Sequence, residues 1–172
     1  ENFRQQMAYM KDHGYTVIPM AEFIEKIKSG KRDFKKSVVL TFDDGFANNF
    51  QYALPVLKQH AFPATFFVCS AWIGTEDHLN WDQIKEMQRA GMSFQSHTVS
   101  HAYLPDFTKE KIRFELEGSK SVLENGLGEP VDFLAYPIGG FSTEIQEQVQ
   151  RSGYKAAFTT NRGKDRRQKD LY

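Results

Sequence analysis

The sequence predicts an α/β protein built as a distorted or incomplete (β/α) barrel, with parallel strands inside and helices outside. Segments with strand and helix patterns alternate along the 172 residues, an order typical of a mostly parallel sheet. About five to seven segments have strand patterns, and we favour a barrel over an open doubly wound sheet. No repeat, low-complexity tract or linker divides the sequence. We therefore expect residues 1–172 to form one domain, trimmed at both ends.

The first 60 residues predict helix, strand, helix, strand and helix in turn. The opening helix carries its apolar residues on one face and ends at Gly14, a favourable C-cap residue. The clearest buried strand is Ser37–Phe42, which is β-branched and apolar. Pro55 predicts an irregularity in the helix that contains it. The later elements of this part are expected at Tyr15–Pro19, Glu22–Ser29, Ser37–Phe42 and Asn48–His60.

The remainder of the sequence predicts four more strands and three more helices. In the longest helix, Ile112, Leu116, Ser119 and Leu123 share one face, and Thr108 is the expected N-cap. Gly91 ends the helix before it as a C-cap. The elements are expected, in order, at Ala64–Val68, Trp81–Ala90, Met92–Gln95, Lys109–Glu124, Val131–Ala135, Thr143–Ser152 and Lys155–Thr159.

The composition excludes several classes of partner. Lys and Arg together number 22, as do Asp and Glu, so no strong field favours nucleic acid or an anionic membrane. A neutral partner such as an uncharged glycan is compatible with this balance. No stretch approaches the ~20 apolar residues of a membrane span. Cys69 is the only cysteine, which excludes an intrachain disulfide, and its apolar neighbours predict a buried side chain.

Three polar segments follow predicted strands at their carboxyl ends. They are TFDDG at residues 41–45, SHTVSH at residues 96–101 and AYPIGG at residues 135–140. In (β/α) barrels the chemistry takes place at this end of the strands. The three segments therefore predict a single site on one rim.

Asp43 and Asp44 form the first part of this predicted site. Two adjacent carboxylates at the mouth of an apolar strand are costly unless a metal ion, a cation or water compensates them. Successive side chains of an extended backbone point to opposite sides, so the pair is expected to divide its roles. Gly45 permits a sharp turn there. The alternative interpretation is an ordinary turn or a helix N-cap.

His97 and His101 form the second part. Their i, i+4 spacing places both imidazoles on one helical turn, where they can face one ion. Imidazole nitrogen suits zinc and other first-row divalent metals, and Thr98 and Ser100 are expected to bond the local backbone and hold the turn. Two histidines with one aspartate leave an open coordination position, as in catalytic sites. The alternative is a pair of solvated surface histidines.

The third segment predicts a loop rather than side-chain chemistry. Pro137, Gly139 and Gly140 shape a backbone that can approach a ligand closely, and its N–H groups could stabilise an oxyanion. A simple turn is the alternative. Some aromatic residues are candidates for stacking on sugar rings or for the core, and these are Trp72, Trp81, Tyr103 and Tyr136.

TFDDG, H-T-x-S-H and Y-P-x-G, in this order, resemble the motifs of the polysaccharide deacetylase family, carbohydrate esterases with the NodB-homology fold. The resemblance runs from Val38 to Gly153. It implies a distorted (β/α) barrel of about seven strands. It also implies a metal-dependent hydrolase that removes N-acetyl groups from N-acetylglucosamine residues of a polysaccharide.

The resemblance assigns a role to each motif residue. Asp43 resembles the catalytic base, and Ile138 the residue whose backbone N–H stabilises the oxyanion. The implied ligands of the metal are Asp44, His97 and His101. Zn²⁺ is the expected ion, with Co²⁺ or Ni²⁺ as alternatives. The implied contacts to an acetylated polysaccharide are Tyr136, Pro137, Trp81 and Tyr103.

The sequence departs from the family pattern at two positions. An Arg usually stands four residues before the Pro of the third motif, where this chain has Phe133. No His follows His101 in these 172 residues, so the usual late general acid is absent or lies beyond Tyr172. Y-P-x-G together with an L-x-W-x-Q segment at Leu79–Gln83 resembles the branch that deacetylates poly-β-1,6-N-acetylglucosamine. That branch implies an extracellular or bacterial cell-envelope location.

Two other functions are open at this stage. The first is a deacetylase that acts on peptidoglycan, chitin or xylan. The second is a glycan-binding module on a deacetylase scaffold with little turnover, which the absent Arg and late His favour. The intact set of Asp43, Asp44, His97 and His101 argues against the second, because binding alone does not need a full set of ligands.

Overall fold

Parallel strands and helices alternate in the computed structural model, which describes residues 1–31, 33–161 and 171–172. The strands within this part are β1 Thr16–Val17, β2 Ser37–Val38, β3 Thr41–Phe42, β4 Thr65–Val68, β5 Ser93–Ser96, β6 Phe133–Ala135 and β7 Ala156–Phe158. The α-helices are α1 Asn2–Asp12, α2 Met20–Lys28, α3 Leu54–His60, α4 Trp81–Arg89, α5 Lys109–Leu127 and α6 Thr143–Arg151. Every pairing between these strands is parallel, as the alternation predicted.

The strands form a curled half-barrel with helices around it. Strands β3 to β7 lie side by side in chain order, and β1 pairs with β2 in a separate two-stranded sheet. This arrangement confirms the predicted distorted or incomplete (β/α) barrel. Among the described residues, none of the helices has the length and hydropathy that a bilayer crossing requires.

The single strand predicted at Ser37–Phe42 is divided in two. Its first part pairs with β1, and the Ile18 N–H donates to Val38 O at 2.9 Å. Its second part pairs with β4, and the Thr65 N–H donates to Leu40 O at 3.0 Å. The segment thus changes neighbours at residues 39–40, and this change of partner interrupts the strand.

The helix predicted at Asn48–His60 also has two parts. A π-helical turn, Asn49–Ala53, precedes α3, and Pro55 lies in the first turn of α3. Proline lacks an N–H, and its ring clashes with the carbonyl four residues earlier. The wider turn before Pro55 accommodates both effects, so the irregularity precedes the proline.

Alternate residues of the central strands belong to two different apolar clusters. Phe66 of β4 and Leu134 of β6 pack with the helices, whereas Phe67 and Phe133 pack in a smaller cluster with Met20. Strands buried on both faces are typical of parallel sheets with covering layers. Phe133 therefore points into an apolar cluster.

The helices begin and end largely as predicted. Thr108 caps α5, and its hydroxyl accepts a hydrogen bond from the Lys111 N–H at 3.4 Å. The helix ends at Gly128, whose φ of 72° is left-handed, so α5 extends beyond the predicted end at Glu124. Leu127, one residue earlier, is buried in the larger cluster and belongs to this additional length.

Trp81 lies between α4 and α5. A β-carbon added at Gly126 would lie 2.1 Å from the Trp81 ring, so the indole occupies the space that the glycine leaves open. The ring also packs against the larger apolar cluster. Trp81 is therefore a partly buried helix-packing residue, and its contact with a sugar ring stays a prediction.

Candidate metal and catalytic site

The three polar segments meet at the carboxyl ends of β3, β5 and β6. The His97 ring lies between the other two segments, because its Nδ1 is 2.8 Å from Ala135 O and its Nε2 is 3.5 Å from Asp44 Oδ1. The Nε2 atom of His101 is 3.3 Å from the same carboxylate oxygen. These contacts place the segments on one rim, as their positions after the strands predicted.

Asp44, His97 and His101 form a group that could hold a metal ion. One ligand atom from each residue lies within 4.8 Å of the other two. The Oδ1 atom of Asp44 is buried and accepts no hydrogen bond, so it lacks the compensation that a buried carboxylate oxygen needs. One carboxylate and two imidazoles suit a first-row divalent ion with an open position.

The protein fixes His97 in the form that a metal requires. Its side chain is 3% exposed, and Nδ1 carries the proton because Ala135 O can only accept a hydrogen bond. Nε2 is then free to face Asp44. Burial lowers the pKa of His97, while its hydrogen bond to Ala135 opposes the shift. A neutral imidazole with an anchored second nitrogen is the usual metal-ligating state.

The two histidines lie in a non-helical turn, and the predicted helical turn is wrong. In this histidine turn, residues 97–101, Thr98 has a φ of 68° and His101 a φ of 59°. The N–H groups of Val99 and Ser100 donate to the carboxylate of Glu115 on α5. Because that carboxylate accepts hydrogen bonds from these N–H groups, the turn directs both rings towards Asp44 without helical hydrogen bonds.

The predicted roles of the two hydroxyl residues in the turn also change. Thr98 Oγ1 is buried and has no hydrogen-bond partner, so it does not hold the turn. Ser100 Oγ donates to Glu115 at 2.8 Å, instead of bonding the local backbone as predicted. Cys69 is buried as expected, and its thiol donates to His97 O at 3.3 Å.

Glu115 is a site residue that the motif patterns missed. Its side chain is fully buried, and it belongs to the buried face of α5 with Ile112 and Leu116. A carboxylate on a buried helix face is costly without partners. The position of Glu115 three residues after Ile112 indicated that it lies on the buried face of the helix. Its partner in the histidine turn is a tertiary contact, which the local pattern does not show.

Asp43 lies beside the ligand group without belonging to it. Its side chain reaches solvent, but desolvation by the surrounding protein raises its pKa. His97 opposes this rise, Asp44 adds to it and His101 opposes it. A carboxylate with a raised pKa is better matched to accepting a proton near neutral pH.

The turn after β3 separates the two aspartates. Asp44 has a φ of 69°, and Gly45 follows with a φ of 79°. A β-carbon at Gly45 would lie 2.8 Å from Val68 Cγ1, so a larger residue does not fit. The turn therefore directs Asp44 to the histidines and leaves Asp43 at the rim, consistent with the predicted division of roles.

The loop after β6 presents one unusual backbone amide. Ile138 has φ 59° and ψ 4°, a conformation that is rare and strained for a β-branched residue. The N–H groups of Gly139 and Gly140 donate to Tyr136 O and Pro137 O. Neither of these two bonds uses the Ile138 N–H, and a backbone N–H at such a rim is the type of donor that stabilises an oxyanion.

Strain at Ile138 leads to a stability prediction. We expect Ile138→Gly to have a free energy of unfolding about 1 kcal/mol higher than Ile138→Ala, because only glycine adopts a left-handed φ without steric cost. The side chain is 67% exposed, so little buried area is lost in either variant. Urea unfolding of both variants measures the difference. Equal stabilities would contradict strain at this position.

The predicted polysaccharide contacts differ in their exposure. Tyr136 is 2% exposed and stacks on Phe141, and Pro137 is also buried, which argues against sugar stacking by either ring. Tyr103 is 39% exposed, and its ring lies 2.2 Å from the position of a β-carbon at Gly140. Of the predicted contacts, Tyr103 thus keeps a place on the rim.

A second group of rings contacts His101. Trp72 stacks on His101, with ring centroids 5.4 Å apart. Its other neighbour is His78, at 4.9 Å, which in turn stacks on Phe46 at 5.1 Å. The sequence identified Trp72 and His101 as candidates but not His78 or Phe46, whose contact joins two different loops.

The family model described as polysaccharide deacetylase matches residues 30–157 of this chain. This match covers most of the sequence and includes all three polar segments. The chain therefore belongs to the polysaccharide deacetylase family, which confirms the resemblance drawn from the motifs.

Individual relatives support this assignment to the family. The chain is 32% identical over 172 residues to YxkH of Bacillus subtilis strain 168. It is 28% identical over 171 residues to the poly-β-1,6-N-acetyl-D-glucosamine N-deacetylase of Staphylococcus aureus strain MRSA252. The alignments cover 100% and 91% of this chain, but 62% and 59% of the two relatives. The chain thus spans about three fifths of the curated relatives it matches.

A solved structure shows the same architecture. The Streptococcus pyogenes deacetylase PplD, in complex with acetate, superposes with a TM-score of 0.90 at 34% sequence identity. The superposition covers 94% of this chain and 72% of that chain. The half-barrel described above is therefore shared with a deacetylase.

Proposed function

We propose that this chain is the catalytic domain of a metal-dependent deacetylase that removes N-acetyl groups from N-acetylglucosamine residues of a polysaccharide. The observation that carries the proposal is the group formed by Asp44, His97 and His101, with a buried carboxylate oxygen that accepts no hydrogen bond. Zn²⁺ is the ion that this donor set suits best, with Co²⁺ or Ni²⁺ as alternatives.

The neighbouring groups supply the remaining chemistry. When bound, the metal would polarise the acetamido carbonyl and lower the pKa of water towards ~7. Asp43 accepts a proton from the attacking water. The Ile138 N–H donates to the oxygen that becomes negatively charged. Hydroxide adds to the acetyl carbon, and the C–N bond breaks as the nitrogen takes the proton that Asp43 accepted. The products are acetic acid and a free amine, which ionise to acetate and a protonated amine.

Two comparisons support this substrate class. The staphylococcal relative is a poly-β-1,6-N-acetyl-D-glucosamine N-deacetylase, and the streptococcal deacetylase was solved with acetate, the product of the proposed reaction. A polymer of this kind also supports an extracellular or cell-envelope location. We further propose that residues 1–172 act as one deacetylase domain, since the two apolar clusters draw on residues from α1 to the C-terminal pair.

The direct test is acetate release from defined oligomers. The protein is stripped of metal, loaded with Zn²⁺, Co²⁺ or Ni²⁺, and incubated with β-1,6-linked and β-1,4-linked N-acetylglucosamine oligomers. We expect acetate release that chelation abolishes and added metal restores, with preference for the β-1,6 linkage. Faster release from β-1,4 oligomers, peptidoglycan or acetylated xylan would reassign the substrate. Binding of oligomers by metal-loaded protein without acetate release would favour a glycan-binding module.

A further inference from the structure

Three successive backbone N–H groups of the histidine turn donate hydrogen bonds to side chains. The Thr98 N–H donates to Ser96 Oγ at 3.2 Å, and that hydroxyl donates to Ser119 Oγ of α5 at 2.9 Å. The next two amides, at Val99 and Ser100, donate to Glu115. A run of successive N–H groups that point the same way forms a concave site for an anion. In this chain the Glu115 carboxylate accepts two of these three amides.

The Glu115 carboxylate uses both of its oxygens. Oε2 accepts the Val99 and Ser100 amides at 3.0 and 2.9 Å. Oε1 accepts the Ser100 hydroxyl at 2.8 Å and lies 3.3 Å from Lys111 Nζ. The side chain is 0% exposed, so these contacts provide the compensation that a buried carboxylate requires.

The opposite side of the histidine turn is also held. The carbonyl groups of Thr98 and Val99 accept hydrogen bonds from the Ser70 and Ala71 amides at 3.1 and 3.0 Å. Peptide groups of the turn are therefore fixed from the β4 side through their oxygens and from the α5 side through their nitrogens. Among these described partners of the turn's peptide groups, the Glu115 carboxylate is the charged one.

The conformation of the turn explains why such support is needed. Thr98 and His101 both have a positive φ, and each such residue costs roughly 1–3 kcal/mol and persists only where the surrounding structure over-determines it. An unsupported turn would relax to a lower-energy backbone conformation. Relaxation would move His101 relative to His97, because Thr98 lies between them.

We propose that Glu115 is a positioning residue whose carboxylate locks the histidine turn and thereby sets the affinity of the metal site. Glu115 acts on His97 and His101 through the amides of Val99 and Ser100, and not by contact with the two imidazole rings. The inference rests on the proposed metal-dependent function. It assigns to α5 a role in the chemistry of the rim, in addition to its role in covering the sheet.

Cobalt binding tests this role independently of turnover. Metal-free protein is titrated with Co²⁺ at a temperature where circular dichroism shows every variant folded, and the visible absorption reports both affinity and ligand geometry. We expect Glu115→Ala to bind about 10–100-fold more weakly, with an altered spectrum, as is typical when the support of a metal ligand is removed. Glu115→Gln keeps an oxygen for the two amides, so we expect a smaller loss.

The matched control is Glu117→Gln, which removes an exposed carboxylate from the same helix and is expected to retain wild-type affinity. A Glu115→Ala protein that melts at a lower temperature, yet binds Co²⁺ with wild-type affinity and spectrum, would overturn the inference. If that variant does not fold, Glu115→Gln and Ser100→Ala decide the matter. Wild-type affinity in both would overturn the inference.

The same titration separates this inference from the proposed function. Failure of the unmodified protein to bind Co²⁺ would overturn the metal site itself and the inference with it. Binding by the unmodified protein and equally tight binding by the Glu115 variants would overturn only the role of Glu115.

Discussion

His97→Ala is expected to bind Zn²⁺ more than about 100-fold more weakly than the unmodified protein. Loss of residues that merely support metal ligands typically costs 10–100-fold, and His97 is proposed as a ligand itself. Its ring is buried and anchored to Ala135 O, so no other side chain can move into its place without rearranging the loop after β6. Competition with a chromophoric chelator measures the affinity, and acetate release is expected to fall with metal content.

His13→Ala is the matched control for this prediction. His13 is exposed and follows α1, where its ring stacks on Tyr9, so its loss should leave metal binding unchanged. Because removal of His97 leaves a cavity, circular dichroism must first show that the variant is folded. Equal metal content in folded His97→Ala and in the unmodified protein would contradict the ligand assignment.

Asp43→Asn is expected to retain the metal but to release acetate about 10²–10⁴-fold more slowly, the usual contribution of a general base. Asparagine has nearly the same shape as aspartate and cannot accept the proton of the attacking water. Asp43 lies outside the group of three ligand atoms, so the dissociation constant for the metal should change little. Turnover at saturating oligomer, with metal content measured on the same sample, separates the two effects.

Asp82→Asn provides the control for charge, since Asp82 is exposed in the first turn of α4. It is expected to retain full activity. A folded, metal-loaded Asp43→Asn enzyme with an unchanged rate would remove Asp43 from the mechanism. Together with His97→Ala, the variant distinguishes a defect in metal binding from a defect in proton transfer.

Much of the fold could be predicted because local patterns determine it. Alternation of strand and helix signals sets a parallel sheet, and the strand ends then place TFDDG, SHTVSH and AYPIGG on one rim. The division of Ser37–Phe42 could not be predicted in this way. It reflects a change of neighbouring strand at residues 39–40, which depends on where β1 and β4 lie and not on the composition of the segment.

The site was predicted in its residue types more accurately than in its geometry. A spacing of four residues between His97 and His101 is compatible with one helical turn or with a compact non-helical turn. The choice depends on Glu115, a residue that is distant in sequence. For a related reason the sequence did not show that Trp81 packs between helices or that Tyr136 is buried, because exposure of an aromatic ring is decided by the elements that pack on it.

One backbone feature of the rim has a consequence for protein engineering. Among the described residues, Asp44, Thr98, His101 and Ile138 all have a positive φ, and all four belong to the site. Natural proteins commonly retain such strain where activity requires it. A library of variants selected only for heat resistance would therefore accumulate glycine at the exposed Ile138, where it is worth about 1 kcal/mol. Thr98 is fully buried, so glycine there would also leave a cavity. Glycine also adopts many other backbone conformations, so such a selection would raise the melting temperature while leaving the loop that presents the Ile138 N–H less restricted.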